Sequence, residues 1–191
     1  MILGLQHLSG LPFYIGGLTA LNLQGFAHYI PVGGGKKIAI YGKSNPPGWI
    51  KNIKFSQEFI FSKKPSFDTL GIKKHATKIR DWQINISTPE RVILELLYQV
   101  EKEGTSFQFV AEIFEGFTIL SPKLLNELLP MCKSIKVKRL FLFFANHYNF
   151  SWIKHINTKD ITLGVGKMQI VKNGKYEKTY MITIPKDFNN G

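Results

Sequence analysis

Four basic residues crowd one short stretch: Lys133, Lys136, Lys138 and Arg139. The chemistry open to them is phosphate neutralisation. Ammonium groups act there as point charges, and a guanidinium can grip two oxygens at once. Lys136 and Arg139 are three residues apart, so on a helix they share a face. Val137, Leu140, Phe141 and Phe144 would then face a core. Cations near a helix start oppose the helix dipole, so something other than helix stability places them there. Lys36 and Lys37, followed by Lys51 and Lys54, form a second basic group. Both groups are candidate nucleic-acid contacts.

Catalytic patterns are weak by comparison. The histidines are His7, His28, His75, His147 and His155, and no two stand at HExxH spacing. The single cysteine, Cys132, cannot build a zinc knuckle. Residues 164–167 read GVGK, but Ile161 replaces the first glycine of a phosphate loop and Met168 replaces its Ser or Thr. A turn entering a strand fits better. A metal-dependent nuclease would need acids holding magnesium and a lysine beside them. No Asp, Glu or Gln stands two residues before a lysine, and Asp68, Asp81 and Asp160 are isolated. Nor does Gly-Ser precede a paired Asp-x-Asp, as a nucleotidyltransferase would require. The expectation is no catalytic site, no metal and no cofactor. A nuclease or nucleotide-handling enzyme of basic α+β type is the alternative.

Charge supports a polyanion partner. Lys and Arg number 25 against 13 Asp and Glu, a net charge of +12. Residues 1–80 carry +9, residues 81–120 carry −5, and the remainder is basic again. A basic surface interrupted by one acidic segment attracts nucleic acid. One cysteine fits a reducing compartment. No apolar run approaches the ~18 residues of a membrane span, so a cytoplasmic location and no membrane partner are expected.

The elements that must position these residues can be read from periodicity and punctuation. Strands are expected at 11–15, 37–41, 57–61 and 77–86. Residues 62–75 read as a basic, turn-rich connection. After Gly16 and Gly17, Thr19 is placed to cap a helix ending before Pro31. Ser87 or Thr88 can cap a helix with Pro89 in its first turn and Glu90 completing a capping box. Ile93, Leu96, Leu97 and Val100 supply its apolar stripe. Further helices are expected near 106–115, 122–131 and 135–148. The chain closes with a hairpin, 167–172 and 178–184, turning at Asn173-Gly174. This order predicts an α+β fold: a mixed or antiparallel sheet, a central run of helices on one side, and a C-terminal β-hairpin.

Five blocks carry a resemblance. Residues 12–31 read PFYIGGLTALNLQGFAHYIP, and 87–97 read STPERVILELL. Residues 106–132 read SFQFVAEIFEGFTILSPKLLNELLPMC, 134–148 read SIKVKRLFLFFANHY, and 151–185 read SWIKHINTKDITLGVGKMQIVKNGKYEKTYMITIP. In this order they resemble the AbiE-type antitoxins (the AbiEi family). These are the transcriptional-regulator halves of type IV toxin–antitoxin pairs from phage abortive-infection systems.

The resemblance spans roughly residues 11–185 and implies a non-catalytic antitoxin and autoregulator. Its implied partners are operator DNA and a nucleotidyltransferase-like toxin, opposed without a stable complex. Such chains usually open with a winged helix-turn-helix, whereas only MILGLQHLSG precedes the first block here. Residues 1–10 are therefore expected to be a remnant of an N-terminal element, with residues 11–191 as the antitoxin domain.

Overall fold

The computed structural model describes residues 4–6, 12–26, 37–42, 45–46, 48–52, 58–62, 67–77, 79, 81–102 and 104–188. The chain divides into two compact units: Met1–Pro65 with Thr69–Val92, and Ser66–Asp68 with Ile93–Gly191.

The first unit is built on a five-stranded mixed sheet. Its strands are β1 (Tyr14–Ile15), β2 (Lys37–Tyr41), β3 (Glu58–Ser62), β4 (Ile72–Ala76) and β5 (Gln83–Ser87), in the order β3-β2-β1-β5-β4. The β1–β2 and β4–β5 pairs are antiparallel, while β1–β5 and β2–β3 are parallel. The strand expected at 77–86 begins only at Gln83 and is one arm of a hairpin. Its partner β4 lies almost wholly inside the stretch expected to be a basic connection. IKKHA has no clean apolar alternation because β4 is an edge strand with both lysines in water.

Helix α1 (Gly17–Leu23) is shorter than expected and starts from Gly16 rather than Thr19. Thr19 instead ties the helix to β2, where its hydroxyl accepts from Ala39 N at 3.2 Å. Leu5, Phe13, Ile40 and Ile50 form an apolar cluster, with Ile38, Phe59 and Phe61 packed against it.

Helix α2 (Pro89–Gln99) opens in the first unit and continues in the second. Ser87 closes β5, so Thr88 takes the position before the helix and Pro89 stands at its first residue. The Thr88 carbonyl accepts from Val92 N at 2.9 Å.

The second unit continues with α3 (Phe107–Glu115), α4 (Pro122–Met131) and α5 (Ile135–His147). Each starts on a serine whose hydroxyl accepts a backbone N–H: Ser106 from Phe109, Ser121 from Leu124, Ser134 from Val137. Pro130 sits in the last turn of α4. The core is aromatic. Phe107 and Phe114 of α3 lie 4.9 and 5.2 Å from the Phe144 ring, and Phe141 lies 5.7 Å from Trp152.

The unit ends in a two-stranded antiparallel hairpin, β6 (Lys175–Glu177) with β7 (Ile182–Ile184). Its turn is 178–181, not Asn173-Gly174. Asn173 does bend the chain at φ 55°, but that bend leads into β6. Together the described elements form the expected α+β class with a C-terminal hairpin.

Candidate nucleic-acid interface

Val137, Leu140, Phe141 and Phe144 are buried, as their spacing requires. Lys138, Arg139, Leu142, Phe143 and Ala145 are buried as well. Beyond its first two residues, α5 is therefore enclosed on nearly every side, and this decides the fate of its cations.

Arg139 is 1% exposed. Its Nε donates to the Leu163 carbonyl at 2.8 Å, and Nη1 donates to Gly166 O at 2.8 Å and Met181 O at 3.1 Å. The guanidinium clamps the 163–166 bend to the start of the final strand. Its burial and its carbonyl partners revise the expectation that it faces a phosphate.

The GVGK stretch supplies one of those acceptors, Gly166, and Leu163 stands just before it. A phosphate loop would aim N–H groups at an anion; here carbonyls converge on a cation, the opposite polarity. Gly164 and Gly166 adopt φ of 67° and 81°, which lets the bend close.

Lys136 also points inward. Its ammonium donates to Tyr98 O and Val100 O, carbonyls at the C-terminal end of α2. A cation there satisfies orphan acceptors and meets the negative end of the helix dipole. Burial pushes its pKa down to about 8, with the nearby Lys102 charge adding to the effect and Glu101 opposing it. Lys138 is only 5% exposed. Of the four predicted residues on this stretch, Lys133 alone is exposed.

In the second predicted group, Lys37 is exposed and pairs with Glu58 at 3.3 Å across the β2–β3 register. Such a pair is worth at most about 1 kcal/mol, so it competes only weakly with another anion. Lys36, Lys54, His7 and His28 fall outside the described residues, as does the side chain of Lys51.

The opening helix motif has the same inward logic. Arg91 is fully buried. It donates through Nη1 to Leu70 O and through Nη2 to the Tyr14 hydroxyl at 2.6 Å. Arg91 thereby joins β1 to the turn before β4.

Exposed cations that sequence reasoning did not single out stand on β4, at Lys73 and Lys74. The signal for them was present in the basic run, but the strand that presents them was not legible. Among the described residues no group of three His, Cys, Asp or Glu could hold a metal ion. No helix among them is long and apolar enough to cross a membrane.

Fold and site define a basic α+β protein whose motif cations mostly brace its own backbone. The family of transcriptional regulators comprising the AbiEi antitoxins of type IV toxin–antitoxin systems matches residues 35–185. That is well over half the chain, and the chain belongs to this family. The match starts after the 12–31 block, so that block rests on resemblance alone. No curated protein matches the chain.

Proposed function

We propose that this chain is a non-catalytic antitoxin that opposes a nucleotidyltransferase-like toxin and regulates its own operon. The family match over residues 35–185 is the observation that carries this reading. Residues 11–191 would be the effector region. It acts in the cytoplasm, without a cofactor and without a stable complex with the toxin. Operator DNA is its nucleic-acid partner, with sequence read by an N-terminal module of the kind the family uses.

Lys133 is the cation of the 133–139 stretch available to phosphate, with Lys36 and Lys37 as a second contact. Lys136, Lys138 and Arg139 would act as its frame. The high net charge supports such contacts, since phosphate neutralisation releases counterions and strengthens binding at low salt.

Co-expression with a toxin encoded beside it tests the proposal. Growth rescue by soluble antitoxin is the expected result. Magnesium-dependent turnover of DNA, RNA or nucleotide by the pure protein would instead assign an enzyme.

A further inference from the structure

The connection from α2 to α3 is closed by a single amine. Helix α2 ends at Gln99, and Glu101 follows at φ 57°. That backbone is uncommon for a residue with a side chain, so its surroundings must hold it there. Glu101 N donates to Thr105 O at 2.7 Å, and Lys102 N donates to Gln99 O at 2.8 Å. The Glu101 carboxylate accepts from Phe107 N, the first residue of α3, at 2.9 Å.

Lys136 of α5 fastens this bend from outside. Its ammonium donates to Tyr98 O at 3.4 Å and to Val100 O, on the two sides of Gln99. Two charged groups of the connection act on it. Lys102, whose ammonium stands over the Tyr98 ring at 4.0 Å from the centroid, repels it, and Glu101 attracts it.

The Lys136 side chain is half-buried and Lys102 is exposed, so a small solute can reach the pair. An ordinary lysine is a poor nucleophile near neutrality because it is almost wholly protonated. Burial first, and Lys102 second, hold Lys136 at about 8. At pH 7.5 roughly a quarter of its amines are then free, against roughly one in a thousand at the usual 10.4.

We propose that Lys136 is an acylation site for small acyl phosphates, and that its acylation opens the α2–α3 connection. This stands independently of the antitoxin reading. The Nζ lone pair attacks the acyl carbon and a C–N bond forms. The bond from that carbon to the phosphate oxygen breaks, and phosphate leaves with the electron pair. The nitrogen gives one proton to water. The Lys102 cation beside the amine meets the phosphate of the donor, which favours this donor over a neutral one. The product is an uncharged amide with one N–H. It can no longer serve both carbonyls or meet the negative end of the α2 dipole.

The test treats the full chain with acetyl phosphate from pH 6.5 to 10 and follows each lysine by peptide mass spectrometry. At pH 7.5 Lys136 should be acetylated about fivefold faster than exposed Lys133. The advantage is smaller than the ratio of free amines because nucleophilicity falls with basicity, as it does for thiols. The Lys136 rate should level off above about pH 8 while the Lys133 rate keeps rising, and in concentrated urea the two profiles should merge. Lys102→Gln should slow acetyl phosphate at Lys136 more than it slows the neutral N-hydroxysuccinimide acetate. Hydrogen exchange at the amides of Glu101, Lys102, Thr105 and Phe107 should accelerate on the order of tenfold after treatment. Lys136→Arg keeps a cation and offers no free amine, so the same treatment should leave its exchange unchanged. Circular dichroism confirms that both variants are folded.

A Lys136 rate no greater than that of Lys133, or one that climbs alongside it to pH 10, overturns the site. Equal slowing of both donors by Lys102→Gln overturns the acyl phosphate as its substrate. Acetylation of Lys136 without faster exchange, or equal acceleration in Lys136→Arg, overturns the opening. None of these readouts depends on growth rescue, so failure here and failure of antitoxicity are distinguishable.

Discussion

The Arg91 guanidinium lies over the Tyr14 ring, 4.5 Å from its centroid, and donates to the same residue's hydroxyl at 2.6 Å. One tyrosine of β1 thus holds the arginine of the α2 opening both by its π face and by its oxygen. The two residues come from sequence blocks 77 positions apart. Tyr14→Phe keeps the ring and removes the acceptor. It should cost about 2 kcal/mol, since a buried charged donor loses its partner. Urea denaturation followed by circular dichroism measures this, and an unchanged midpoint would show that the ring contact suffices.

Arg139 should prove more costly to replace. Arg139→Met would leave the carbonyls of Leu163 and Gly166 without their donor and Met181 O with only Met168 N. A loss of about 3 kcal/mol or more is expected from exposing several buried acceptors to apolar surroundings. Lysine cannot reproduce the fork geometry, so Arg139→Lys should recover only part of it. Lys133→Gln, on an exposed residue of the same stretch, should change stability by less than about 0.5 kcal/mol.

Gly174 is fixed by a close approach. A Cβ there would stand 2.2 Å from the Ile184 carbonyl oxygen, well inside contact distance. Gly174→Ala should therefore push β6 from β7 and cost roughly 2 kcal/mol. Hydrogen exchange at Ile182 and Ile184 should accelerate more than exchange in α5. Equal acceleration in both would mean that the clash is not local.

Stability should have a maximum in alkaline solution. Lys136 titrates near 8 in the folded chain because burial disfavours its charge, whereas an unfolded lysine titrates near 10.4. Between those values the unfolded state holds more protons, so stability rises with pH from about 8 towards 10. Burial, reinforced by Glu115 and Glu112, pushes Tyr148 up to about 12. Its unfolded pKa is about 10, so the folded state then holds the extra proton and stability falls from about 10 to 12. Denaturation midpoints across pH 7–12 test both limbs. Lys136→Met should flatten the first limb and Tyr148→Phe the second.

The helices were legible because their signals are local. Ser106, Ser121 and Ser134 stand at the starts of the expected helices and cap them, and the apolar spacing of 137, 140, 141 and 144 marks a buried face. The roles of the cations were not legible. Arg139 finds its acceptors 24, 27 and 42 residues downstream, and Lys136 finds its own 36 and 38 residues upstream. Local composition cannot tell a lysine facing a phosphate from one facing a carbonyl. Asn173-Gly174 misplaced the hairpin turn for a related reason. Its glycine answers to the Ile184 backbone across the pair, not to the turn between the strands. β4 stayed hidden because an exposed edge strand need not alternate.

Growth rescue is the measurement that bears most directly on function. The intact chain and its Lys133→Gln variant are each co-expressed with the product of the adjacent gene. Restored growth with the intact chain, and no turnover of nucleotide by the pure protein, is the result expected of a non-catalytic antitoxin. Continued arrest, with the chain shown to be folded and abundant in the same cells, would contradict it.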